Sequence, residues 1–152
     1  MFSAEPDPLQ LANEVGRAMH ARDRTSQFLG IHLDQIGPGY AHMHMKVGEQ
    51  MVNGHDICHG GFIFTLADTT FAYSCNSYNH NAVASSCSIE FLAPAHRGDT
   101  LYAKGTEQAL AGRSGIYDIE VTNQDGKQIA LFRGKSQRIR GEVVARPATT
   151  ER

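Results

Sequence analysis

Between residues 62 and 73 the chain is apolar at almost every step: Phe62, Ile63, Phe64, Leu66, Ala67, Phe71, Ala72 and Tyr73. Apolar positions at offsets of one, three and four cover nearly every face of a helix. A helix apolar all round belongs inside a protein. The run is too short, and too polar around Asp68-Thr69-Thr70, to span a bilayer. It predicts a central helix with a sheet wrapped around it. A turn dipeptide, Asn53-Gly54, and the glycine pair of His59-Gly60-Gly61 lead into it.

Shorter patterns flank this helix. Asp7-Pro8 is a helix start, with Asp7 as N-cap and Pro8 in the first turn. Leu11, Ala12, Val15 and Met19 form the apolar stripe that follows, while Arg17, Arg22 and Arg24 belong to a solvated face. Residues 31–36 and 40–47 read as strands joined through Gly37-Pro38-Gly39. In the second, Ala41, Met43, Met45 and Val47 share one face, and Tyr40, His42, His44 and Lys46 the other. Residues 75–81 read as a polar loop. Four strands follow, at 83–92, 100–110, 114–122 and 127–139, with turns at Gly112-Arg113 and Asp125-Gly126. Successive strands with short connections imply antiparallel pairing. Helix, two strands, buried helix, four strands is an α+β order.

Composition narrows the class. A chain of 152 residues suggests one domain with its own core. A net charge of −2 offers no basic surface for nucleic acid. The opening MFSAEPDP holds no apolar run, so no secretory leader is expected, and no stretch reaches a transmembrane length. Three cysteines, Cys58, Cys75 and Cys87, lack CxxC spacing; reduced thiols in the cytoplasm are the expectation.

Two features of the central helix point to chemistry. Gly60 and Gly61 leave backbone N–H groups unshielded at the positive end of the helix dipole, where an anion or a developing oxyanion can bind. Alternatively, the glycines only let the chain turn. Asp68 is a costly carboxylate in an apolar helix. It is bonded locally to Thr65 or Thr69, reaches solvent, or acts on a substrate. Eight residues separate Gly60 from Asp68, about 12 Å of helix rise. One small reacting centre cannot reach both in one chain. A two-fold dimer with such helices antiparallel would bring Asp68 of each chain to Gly60 of the other. His42-x-His44 projects two imidazoles one way, but no third metal ligand stands at a convincing spacing, and a polar strand face is the simpler reading.

The stretch NGHDICHGGFIFTLADTTFAYSCNSYN, with VASSCSIEFLAPAHRGDTLYAKG and GIYDIEVTNQDGKQIALFRGKSQRI after it, resembles the hotdog-fold acyl-CoA thioesterases, and within them those of phenylacetate degradation. The likeness spans roughly residues 8–140. It implies a single hotdog domain over residues 1–140, a curved antiparallel sheet around the central helix, and a flexible tail over 141–152. It implies hydrolysis of phenylacetyl-CoA and its ring-hydroxylated relatives to free acid and coenzyme A, in aerobic phenylacetate breakdown. Other medium-chain or aromatic acyl-CoAs, or non-catalytic acyl-CoA binding, are the alternatives; the motifs of a hotdog hydratase are not found.

The implied catalytic set is Asp68, Gly60, His59 and Asn53. Asp68 attacks directly or activates water, Gly60 holds the oxyanion, and His59 and Asn53 orient the thioester and the water; His59 could instead only cap the helix. Coenzyme A is part of the substrate, with no separate cofactor and no metal. The family joins sheets edge to edge into homodimers with shared sites, and pairs dimers into homotetramers. Arg97, Arg113, Arg133 and Lys135 are candidates for the coenzyme A phosphates. Phe62, Leu66, Phe71 and Tyr73 line an acyl pocket or belong to the core. A serine that holds water in some relatives falls here on Ala84, beside Ser85 and Ser86, so that role is unassigned.

Overall fold

The computed structural model describes residues 7–146. Helix α1 (Pro8–Arg22) begins as Asp7 and Pro8 dictate: the Asp7 carboxylate accepts from the Leu9 N–H, and its carbonyl from Leu11. Leu11, Ala12, Val15 and Gly16 are its buried face. A short helix, α2 (Arg24–Leu29), follows and has no apolar stripe to announce it. Asp23 joins the two. Its carboxylate accepts from the N–H and hydroxyl of Ser26 and from the Tyr73 hydroxyl at 2.9 Å, which ties both helices to the central one.

Strands β1 (His32–Gly37) and β2 (Tyr40–Lys46) form the expected hairpin, with Gly39 supplying a φ of 78° at its turn. A single 3-10 turn at Glu49–Met51 and the loop from Asn53 to Cys58 lead into α3 (Gly60–Asn76). Then come β3 (Ala82–Phe91), β4 (Thr100–Ala111), β5 (Ser114–Thr122) and β6 (Gln128–Arg138). All six strands make one antiparallel sheet in the order β1-β2-β4-β5-β6-β3. The sheet curves around α3.

The inner face is the one the alternation predicts. Ala41, Met43, Met45 and Val47 are at most 1% exposed. Leu101, Ala103, Tyr117, Ile119, Val121 and Phe132 continue that face toward β6 and meet Ile63, Leu66, Ala67 and Phe71 of α3. Each such large side chain withdrawn from water contributes about 1.5–3 kcal/mol. Contact is close enough to demand glycine at Gly134, where an added Cβ would stand 2.7 Å from the Phe71 ring.

Three expectations are corrected. Cys75 and Asn76 are not loop residues but the last turn of α3, and both are buried. Their polarity misleads because it is satisfied inside the helix. The hydroxyls of Thr70 and Ser74 and the Asn76 amide each donate to a carbonyl four residues back. Chain order does not place β3 either; it crosses to the far edge beside β6. The start of the segment read as a fraying tail is docked, since Val144 exchanges two hydrogen bonds with the Asn79 side chain. Residues 147–152 lie outside the described ones.

The two sheet edges differ. β1 is short, bulged and packed against α1. β3 is ten residues long, and eight of them are exposed. Val83 and Phe91 are among the exposed large apolar residues of the chain. Among the described residues no helix is long and apolar enough to cross a membrane.

Candidate active site

The start of α3 is capped by one residue, which takes two of its first three N–H groups. His59 is the N-cap, at φ −61° and ψ 134°. Its Nδ1 accepts from the Gly61 N–H at 2.9 Å, and its carbonyl accepts from Phe62. With Nδ1 accepting, the neutral ring carries its proton on Nε2, a donor free to face outward. His59 thus caps the helix, with one donor left over. The Gly60 N–H has no acceptor among the described residues. An orphan donor at a helix N-terminus, unshielded by a side chain, is the kind of group that stabilises an oxyanion.

Asn53 shapes the approach to that group. Its Oδ1 accepts from the N–H groups of His55 and Ile57, and its own N–H donates to the Ile57 carbonyl. The two donors fix the orientation of the amide, so Nδ2 points away from its loop and has no acceptor among the described residues. Isolated bridges join Val52 to Cys58 and Ile57 to His96, which holds the loop against the sheet end.

Asp68 accepts nothing from Thr65 or Thr69; the Thr65 hydroxyl donates to the Gly61 carbonyl instead. Its partner is the Cys87 thiol, whose Sγ stands 4.0 Å from Oδ1. Burial pushes the Asp68 carboxyl above the ordinary aspartate value. Burial and then the Asp68 charge push the Cys87 thiol up as well, so it stays protonated. No serine takes this place. Ser85 is the bulged residue of β3 and donates to the Lys135 carbonyl, and Ser86 pairs on the outer face with Lys135.

Helix and edge strand share a scale. Gly60 lies against the Phe91 ring, and Asp68 against Cys87. Four strand residues span about 13 Å, and eight helix residues about 12 Å. α3 therefore runs antiparallel along β3, and both groups face the open edge of the sheet. Phe91 is a site neighbour that sequence reasoning missed. Its only signal is an aromatic residue at the end of a strand, and nothing local says which helix end that strand meets.

Beside Gly60 opens a pocket of about 430 Å³, lined by Ile57, Cys58, Ile63, Phe91, Leu92, Ala93, Pro94 and Ala95. Leu66, Phe71 and Tyr73, read as pocket or core, are core at 1% exposure or less. Phe62 is half-buried, with its ring edge-on to His59. A larger groove of about 520 Å³ lies on the outer sheet face among Lys104, Asp118, Glu120 and Arg133. It is remote from Gly60 and Asp68, and Arg133 there is committed to Asp118 through bonds of 2.6 and 2.8 Å. Arg113 closes the β4–β5 turn and Lys135 stands on the outer face, so of the four cations only Arg97, 3.8 Å from Asp56, adjoins the Gly60 approach. His44 binds Asp34 at 2.8 Å and stacks on His32; no group of three metal-type ligands converges among the described residues.

Comparison with known proteins identifies the family of the chain. Residues 55–130 match the model of the thioesterase superfamily. Acyl-coenzyme A thioesterase PaaI of Escherichia coli is 49% identical over 126 residues, 83% of this chain and 90% of that one. The structure of the E. coli PaaI protein, from the phenylacetic acid degradation operon, superposes with a TM-score of 0.88 at 46% identity, covering 90% of this chain and 99% of that one. A mutant of the phenylacetic acid degradation protein PaaI from Thermus thermophilus gives 0.74 at 33% identity, covering 77% and 100%.

Proposed function

Because the chain belongs to the thioesterase superfamily, we infer that it hydrolyses acyl-coenzyme A thioesters to free acid and coenzyme A, with phenylacetyl-CoA and its ring-hydroxylated relatives as the preferred substrates, in phenylacetate breakdown. One observation carries the reading. A helix start with one unclaimed N–H, at Gly60, lies along the same open edge as a carboxylate, Asp68, that no positive group among the described residues claims.

The Gly60 N–H donates to the thioester carbonyl oxygen, and the helix dipole stabilises the negative charge that grows there. The Asp68 carboxylate either adds to the carbonyl carbon, giving a mixed anhydride that water then opens, or takes a proton from an attacking water. In both cases the C–S bond breaks and coenzyme A leaves as thiolate. The Nε2–H of His59 and the Nδ2 of Asn53 are the donors left to orient carbonyl and water. Arg97 is the cation assigned in this reading to a coenzyme A phosphate. Coenzyme A arrives with the substrate, and no further cofactor is invoked.

The site is shared between two chains. Antiparallel pairing of two β3 edges about Ile89 sets Cys87 opposite the partner subunit's Phe91. It therefore sets Asp68 opposite the partner subunit's Gly60, twice per dimer. Two such dimers associate into a tetramer.

Hydrolysis of an acyl-CoA panel, followed by trapping the released thiol, tests the function. Phenylacetyl-CoA is expected to exceed butanoyl-CoA in kcat/KM by about tenfold or more, the scale on which a fitted apolar pocket discriminates. Equal or better turnover of butanoyl-CoA removes the substrate assignment. Silence on every ester removes the hydrolase.

The pH profile carries a second expectation. Only ionised Asp68 can attack or take a proton, and burial holds its pKa above 3.8. As pH falls, kcat/KM should drop along a limb whose midpoint lies above that value. A limb at or below 3.8 would mean the carboxylate is solvated during turnover.

A further inference from the structure

Phe91 has a place but no role in the scheme above. Its ring rests on Gly60, where a Cβ would stand 2.9 Å from Cζ and 3.2 Å from Cε1. It stands on the helix-facing side of the edge strand, opposite Ala130, yet 54% of the residue is exposed in the single chain, before any pairing of the β3 edge. The ring is thus held at Gly60 and still presents surface to the pocket that Ile57, Ile63, Leu92 and Pro94 line.

A thioester whose carbonyl oxygen accepts from the Gly60 N–H sends two arms away from that point. The coenzyme A arm carries amides, and burying an amide without a partner is costly. The side chains lining this pocket hold no nitrogen or oxygen to receive one. The acyl arm is the one that fits. Among acyl groups, a ring one methylene from the carbonyl can turn out of the thioester plane and lie along another ring. A ring conjugated directly to the carbonyl stays in that plane.

We infer that Phe91 is a specificity-determining residue, the wall against which the aryl ring of an arylacetyl thioester is held beside Gly60. The inference rests on the thioesterase reading and adds the means of selection to it. Offset or edge-on ring pairs gain modestly over equal apolar area. The effect is therefore one of ratio between esters of matched size, not of total loss.

The test compares phenylacetyl-CoA with cyclohexylacetyl-CoA, which match in size but differ in the π-system. Phe91→Leu should lower the phenylacetyl-to-cyclohexylacetyl ratio of kcat/KM roughly threefold to tenfold. The change should fall mainly on KM, since the ring is bound before and during reaction. Phe91→Tyr should keep the ratio and rules out a general disturbance of β3. Sedimentation and Tm of both variants check assembly and fold. An unchanged ratio in Phe91→Leu, or an equal fall on both esters, overturns the assignment and leaves Phe91 as packing for Gly60. A wild-type enzyme inert toward both esters while hydrolysing others refutes the arylacetyl substrate assignment, and this inference with it; silence on the whole panel refutes the hydrolase.

Discussion

Asp68→Asn is expected to lower kcat by about three orders of magnitude or more, because it keeps size and removes the charge, the nucleophile and the base together. The fold should survive and gain. Burial raises the Asp68 pKa in the folded protein above 3.8, so the ionised form is disfavoured there relative to the unfolded chain. That penalty is absent below the unfolded value and complete above the folded one. Asp68→Asn should therefore raise Tm at about pH 7 and have little effect near pH 3. Loss of activity with gain of stability is the mark of a carboxylate kept for chemistry.

The same variant tests the shared site. His59→Ala removes the acceptor that caps Gly61 and the Nε2–H donor, and impairs turnover from the opposite side of the centre. In a mixed dimer of the two variants, one site carries both lesions and the other neither. After dissociation and random reassembly, half the dimers are mixed, so about a quarter of wild-type activity should return. A mixture that verifiably exchanges subunits and stays as inactive as its parents refutes sites built from two chains.

Gly60→Pro is expected to cost a further hundredfold to thousandfold in kcat beyond Gly60→Ala, about the effect of deleting one oxyanion donor. The pair isolates the N–H. Both variants add a Cβ that pushes on the Phe91 ring, whose far end is free to give. Only proline removes the donor. The backbone accepts proline here, since it favours the first helical position. His59, at ψ 134°, already has the conformation a residue before proline adopts. Should Gly60→Pro turn over as fast as Gly60→Ala, the oxyanion is held elsewhere.

Much of this was legible in residue order because the signals were local. Asp7-Pro8 started α1, the alternation of Ala41, Met43, Met45 and Val47 named the inner face, and the apolar run after Gly60 announced a buried helix. The order of the catalytic candidates along α3 also set their spacing, the length on which the proposal of a shared site rests. What stayed hidden depends on contacts distant in sequence. Cys75 and Asn76 read as loop because their polarity is visible and their helical bonds are not. Phe91 and Cys87 gain meaning only once β3 crosses to the edge and lies along α3. Arg133 is hidden in the same way: on the outer face it is already matched by Asp118 from the neighbouring strand.

The open β3 edge also bears on how the chain survives before it assembles. A lone protomer leaves the outer edge of the ten-residue β3, AVASSCSIEF, without a neighbouring strand, with Glu90 as the only charge and no proline in it. Natural edges are commonly blunted by lysine, proline or a covering helix, since a bare edge is a template for runaway pairing. In the dimer we propose, the guard is a second copy. Partner and poison compete for the same hydrogen bonds, and self-recognition wins only if it is faster than mispairing. Residues that raise affinity across β3 thus protect the newly made chain as well as complete its catalyst. Selection against misassembly and selection for turnover then act on the same strand.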